Sequence, residues 1–177
     1  MENHIFLKMI DEIEACLEHE LYMSALMLAL TIPDICGKAE YPHAKCIVAR
    51  YTGWYNQYME QYHKGASAYD VDLPYLSGEV VYNLRNSIFH SGNPNIDCTK
   101  VKQEECKIDQ FELHFGKSLL GDTSHIAYGA GMRVVERGYV INVYLLCRRL
   151  CSKAIEYYEE NKEKFNFFNY SIEYYYD

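Results

Sequence analysis

Positive charge is the scarce ingredient of this sequence. Against 25 Asp and Glu there are 17 Lys and Arg, a formal net charge of −8 over 177 residues. A protein that coats nucleic acid carries the opposite surplus, so the balance counts against that class and leaves room only for locally placed cations. A long apolar run is missing as well. No stretch approaches the ~20 apolar residues that cross a bilayer, so no contact with a membrane interior is expected. The opening MENHIFLKMIDEIEACLEHE has no basic segment leading into an apolar one, so no signal peptide is expected. Regular cysteine spacing is absent too. The seven Cys form an odd set without paired CxxC knuckles, and the expectation is reduced thiols in a cytoplasm. Internal repeats and low-complexity tracts are also lacking.

What is present is tyrosine, with 18 residues that help bring the aromatic share to 15%. Tyrosine packs its ring and keeps its hydroxyl wet or hydrogen-bonded. So many of them suggest an extensive half-buried surface, such as a subunit interface. The hydrophobic share of 49% and charged share of 24% suit a globular chain. The length fits one domain with a sizeable core, or one domain carrying an insertion.

Along the chain, Ile5, Met9, Ile13 and Leu17 recur at helical spacing with acids between them, so residues 3 to 18 read as an amphipathic helix. YMSALMLALTIPDICGKAEYP reads as a buried helix. It breaks near Thr31, because Pro33 removes a backbone donor, and resumes to about Lys38. Pro42 suits the first turn of a third helix over 43 to 62, where Tyr51, Trp54, Tyr55, Tyr58 and Tyr62 fall on one stripe. KGASAYDVDLP reads as a loop. Ser77 then caps a fourth helix that ends at His90 or Ser91, with Gly92 in the left-handed position and Pro94 blocking continuation. KIDQFELHFG alternates like a strand, and SHIAYGAGMRVVERGYVINV supplies one or two more. A long last helix is expected from about Tyr139. The aromatic, acidic tail NFFNYSIEYYYD is too apolar to hang free and is expected to dock. The fold class is therefore mainly α: an up-and-down bundle of four to five helices, with a small β-insertion at about 105–138 before the last helix.

The most chemical stretch is SGEVVYNLRNSIFHSGNPN, where Arg85, Asn86 and His90 crowd the end of the fourth helix. Asn86 and His90 are four apart and share a face. Arg85 and His90 are five apart, roughly 140° around the axis, so they do not stack directly. They converge through a swing of the Arg side chain, or across a symmetric interface. The helix end favours an imidazolium at His90 and Arg85 opposes it, a balance suited to proton transfer. Arg85 offers a fixed fork of donors suited to phosphate. These are the minimum parts for cleaving RNA without a metal. The plainer alternative is a surface Arg and a helix-capping His.

Other features have plainer readings. His43 with Cys46 and Cys36, and Cys147 with Cys151, have helical spacing that can hold zinc, but Cys is commonly a small buried hydrophobe and no metal site is expected. The Gly129–Gly131 stretch lacks the context of a phosphate loop and reads as a β-turn. The aromatic stripe of the third helix reads as core or dimer surface ahead of base stacking. Arg148, Arg149 and Lys153 are the nearest thing to a basic patch, and read as a solvated helix face or the lining of a dimer cleft.

LRNSIFHSG on a late helix of a small bundle resembles the HEPN superfamily (higher eukaryotes and prokaryotes nucleotide-binding), whose hallmark is R-x(4-6)-H with a polar residue after the Arg, here Asn86. The wider wording ALMLALTIPDICGKAEYP, RYTGWYNQY, LPYLSGEVVYNLRNSIFHSGNPNID and FELHFG is similar to an uncharacterised bacterial group within it. The resemblance implies a single HEPN-like domain over 1–177 and a homodimer whose motif helices face each other across a cleft. It implies metal-independent endoribonuclease activity, without a cofactor, at Arg85, Asn86 and His90, often in toxin–antitoxin, abortive-infection or other defence systems. An antitoxin or a nucleotidyltransferase is the implied partner. Some members have lost activity, so the runner-up is a non-catalytic module that binds a nucleotide, RNA or protein in the same cleft. A third reading is structural, with Tyr-rich faces packing in an assembly.

Overall fold

The computed structural model describes residues 4–63, 73–102, 107–117 and 120–168. The expected loop over 64–74, apart from Leu73 and Pro74, and the aromatic tail beyond Phe168 lie outside the described residues. The chain is mainly helical, with a small three-stranded sheet before the last helix.

Helix α1, His4–Glu18, buries Phe6, Ile10, Ile13 and Leu17. Ile5 and Met9, expected on the buried stripe, are instead half-buried beside it. Phe6 sets the phase, because its ring packs against Tyr158 and Phe165 at centroid distances of 5.5 and 4.9 Å. Helices α2, Tyr22–Ala29, and α3, Ile32–Glu40, are the two pieces of the expected broken helix. Pro33 sits in the first turn of α3, where a missing N–H leaves nothing unpaired. At the junction the Thr31 hydroxyl donates to the Leu28 carbonyl at 2.7 Å.

Helix α4 is Ile47–Tyr58, shorter than the expected 43 to 62. Pro42 does not start it. It lies in a turn after α3, where the Ala44 amide donates to the Tyr41 carbonyl at 3.0 Å, and a separate 3-10 turn, Glu60–Tyr62, follows the helix. The aromatic stripe is core at Tyr51, Trp54 and Tyr55, all fully buried, and reaches solvent at Tyr62. Gly37 lets α3 and α4 touch backbone to backbone, since a Cβ there would lie 2.5 Å from the Arg50 carbonyl oxygen. Helix α5 is Gly78–Ser91.

Strands β1, Gln110–His114, β2, Thr123–Tyr128, and β3, Val134–Asn142, form a sheet in the order β1-β3-β2. β1 runs parallel to β3 and β2 antiparallel to it. The Gly129–Gly131 stretch belongs to the hairpin turn between β2 and β3. Gly131 takes φ 74°, and the Gly129 amide donates to the Arg133 carbonyl at 2.8 Å. The last helix, α6, is Val143–Glu160, so its expected start near Tyr139 is corrected. Tyr139, Val140 and Ile141 are β-branched or aromatic and pair with Phe111, Glu112 and Leu113 of β1, so the strand persists. Asn142 makes the switch, its Oδ1 accepting from the Leu145 amide at 3.1 Å as an N-cap. The core joins Leu26 of α2, Trp54 of α4, Leu84 of α5 and Leu150 of α6 to the α1 stripe, and Phe111 and Ile141 carry it under the sheet.

Candidate functional site at the end of helix α5

Both ends of α5 are fixed. At its start the Ser77 hydroxyl accepts from the Val80 amide at 3.3 Å. The Gly78 amide donates to Asn56 Oδ1 of α4 at 2.6 Å, which ties the helix to the bundle. Glu79 in the first turn complements the helix dipole and accepts from the Lys102 amide at 3.1 Å. Val80, Val81, Leu84 and Ile88 face the core. At the far end Gly92 is left-handed, with φ 62°, and its amide donates to the Ile88 carbonyl at 2.9 Å. The side-chain Nδ2 of the buried Asn83 donates to the Asp97 carbonyl at 3.1 Å, holding the chain that leaves the helix.

On the outer face, Arg85 and Asn86 are half-buried, and Phe89 and His90 are exposed. Arg85 Nη1 donates to Asn86 Oδ1 at 3.0 Å. Its guanidinium carbon stands 5.2 Å from the centroid of the Phe89 ring, a cation–π geometry. Its Nε is buried without a hydrogen-bond partner. Burial pushes the Tyr51 phenol well up, and the charge of Arg85 partly opposes this. His90 has no hydrogen bond or ion pair among the described residues. The structure therefore brings Arg85 together with Asn86 and Phe89, and leaves His90 open to solvent beside them.

The other sequence candidates are spoken for. Arg148, Arg149 and Lys153 are not a free basic patch. They pair with Glu14 at 2.7 Å, Asp122 at 3.0 Å and Glu156 at 2.6 Å. Among the described cysteines, Cys36, Cys147 and Cys151 are buried. Desolvation raises all three thiols, Cys151 to about 12, so none is a ready nucleophile. No group of three or more His, Cys, Asp or Glu among the described residues is placed to hold a metal ion. No helix among them is long and apolar enough to cross a membrane.

A second polar cluster escaped the sequence reading. His63, at the end of the 3-10 turn after α4, is 6% exposed, and its Nδ1 lies 2.9 Å from Asp122 Oδ2. The same oxygen accepts from Arg149 Nη1 at 3.0 Å, while Asp122 Oδ1 accepts from the Asn142 amide at 2.9 Å. Burial works to raise the Asp122 carboxyl. The hydrogen bonds from His63 and the Asn142 amide, with the charges of His63 and Arg149, outweigh it and hold the carboxyl below its ordinary range. Burial and the Asp122 charge push the Tyr139 phenol up. The Tyr55 ring stacks on His63, with centroids 6.1 Å apart. His63 Nε2 and the Tyr55 hydroxyl are buried without hydrogen-bond partners. The knot joins α4, β2, β3 and α6, and nothing in the spacing of these residues along the chain announces it.

A scan against protein-family models, a search of curated proteins and a search of solved structures each returned no match.

Proposed function

We propose that this protein is a metal-independent endoribonuclease of the HEPN type, working in the cytoplasm as a homodimer whose two α5 helices complete each other's sites. The observation that carries the reading is the grouping at the end of α5. Arg85 is oriented by Asn86 and Phe89, and an untied, exposed His90 stands next to them. In the reaction, His90 takes the proton of the ribose 2'-hydroxyl. The 2'-oxygen then attacks the adjacent phosphorus, and the bond to the 5'-oxygen breaks. That leaving oxygen receives a proton, and the products are a 2',3'-cyclic phosphate and a 5'-hydroxyl. Arg85 stabilises the charge gathering on the phosphorane oxygens, and Asn86 keeps its fork aimed. An up-and-down course of the helices and an antitoxin or nucleotidyltransferase partner belong to the same proposal.

The angle of roughly 140° between Arg85 and His90 on one helix supports a site shared by two chains. The test is cleavage of mixed RNA in excess chelator. Wild type releases 2',3'-cyclic phosphate ends, and Arg85→Ala and His90→Ala release none. Mixing these two inactive variants rebuilds one intact composite site per heterodimer and restores part of the activity. Equal cleavage by wild type and His90→Ala defeats the mechanism, and failure of mixing to restore activity defeats the shared site.

One observation favours a non-catalytic module that binds a nucleotide, RNA or protein at the same place. The Arg85 guanidinium is already engaged by Asn86 and Phe89, in a chain of net charge −8. RNA retained by wild type without cleavage, and released by Arg85→Ala, selects that reading.

A further inference from the structure

Away from α5, a pocket of about 380 Å³ opens between α1, α3, α4 and the segment after α6. Met9, Ile35, Phe167 and Phe168 give it an apolar wall with two phenyl rings, and Asp34, Lys38 and Arg50 give it a charged one. That size lies in the range of small-molecule sites, which combine such a lining with a few convergent polar groups.

The charges are not equivalent. Arg50 Nε and Nη2 both donate to Asp34 Oδ1, at 3.1 and 3.0 Å, so this pair is internally neutralised and the second Nη is left over. Lys38 has no carboxylate partner among the described residues. Its ammonium lies 4.3 Å from the centroid of the Phe167 ring instead. The pocket therefore presents one net positive charge above phenyl rings, on a chain whose overall charge is negative. A flat apolar ligand gains from the rings, and a single anionic group gains from Lys38 and the spare Arg50 donor. A dianion such as a phosphate ester costs more to take out of water and finds only one net positive charge to offset that cost, so it gains less.

We propose that this pocket binds a small aromatic carboxylate, its ring against Phe167, Phe168, Met9 and Ile35 and its carboxylate between Lys38 and Arg50. The site uses no residue of α5 and stands or falls separately from RNA cleavage. The probe is naphthalene-2-carboxylate, titrated into the full chain by calorimetry, with 2-naphthalenemethanol as its neutral counterpart and inorganic phosphate as a competitor. Saturable binding of the carboxylate is expected below about 1 mM. Affinity is expected to be about tenfold weaker for the alcohol and for Lys38→Glu, with no displacement by equimolar phosphate. Lys38→Arg is expected to retain binding. Phe167→Leu, which keeps an apolar wall but loses the ring, is expected to weaken it severalfold. Circular dichroism confirms that each variant is folded. No binding at about 1 mM, equal affinity of acid and alcohol, or unchanged affinity in folded Lys38→Glu overturns the proposal. Efficient displacement by phosphate overturns the assignment to an aromatic acid.

Discussion

His63 and His90 sit at the ends of neighbouring helical units, and their surroundings are opposite. His63 is sealed into the bundle, its Nδ1 on Asp122, with Arg149 and the Asn142 amide on the same carboxylate. His90 is exposed and untied, beside an Arg whose partners are an amide and a phenyl ring. In the buried cluster both Asp122 oxygens are engaged, and what stays unpartnered, His63 Nε2 and the Tyr55 hydroxyl, is sealed from solvent. The exposed one is incomplete, which is what a binding or reacting group requires. An imidazole next to a carboxylate looks more like catalytic machinery than an imidazole next to nothing. Here the burial of the pair points the other way, to a joint that holds the sheet onto the helices. The same division runs through the cations: Arg148, Arg149, Lys153 and Lys164 are matched to carboxylates, while Arg85 and Lys38 rest on phenyl rings.

The contrast is broken most strongly at Asp122. Asp122→Ala leaves Arg149 and the Asn142 amide without their acceptor, and a loss of about 3–5 kcal/mol in unfolding free energy is expected from urea titration. A loss below about 1 kcal/mol means the knot does not join the sheet to the bundle. A smaller effect probes the buried carboxylate by pH. The folded-state carboxyl of Asp122 titrates below its unfolded value of about 3.9. Its contribution is therefore present above about pH 4 and is lost as the pH falls through the lower folded-state value. Wild type is expected to lose stability over that acid range and Asp122→Asn to lose less, read from urea midpoints along a pH series. Parallel curves for the two proteins contradict the assignment.

On the open side, Ser77→Ala removes the cap from the start of α5 at a cost of about 1 kcal/mol, lowering the melting temperature without unfolding the chain. His90→Ala is expected to shift stability by less than about 0.5 kcal/mol while removing RNA cleavage. A large destabilisation by His90→Ala makes that residue a structural one and erases the comparison.

Much of α5 was readable from the sequence because its limits are local. A Ser N-cap, an acid in the first turn and a Gly that takes positive φ act within a few residues of the ends they define. The break at Thr31 was readable for the same reason. The face of α1 was not, because Phe6 wins the buried position over Ile5 through rings on α6 and beyond, distant in sequence. The β3–α6 boundary was misplaced because Tyr139, Val140 and Ile141 suit a helix by apolar pattern and a strand by branching. Pairing with β1 decides between them. The knot was invisible, since its ion pairs join residues 59 and 27 positions apart. At the candidate site the three polar residues are legible in the sequence, but the contact of Arg85 to Phe89 is not marked by polarity. Arg85 and Phe89 are four apart and stack on one face, whereas His90, one residue further, falls off it.

The direct passage of β3 into α6 has one more consequence. Asn142 is the only joint between a strand of 9 residues and a helix of 18. The corner is braced by one side chain: Asp122 accepts from the Asn142 backbone amide at the joint and from Arg149 about two turns into the helix. Strand and helix therefore share a keystone, and removing that carboxylate loosens both elements at the point where they meet.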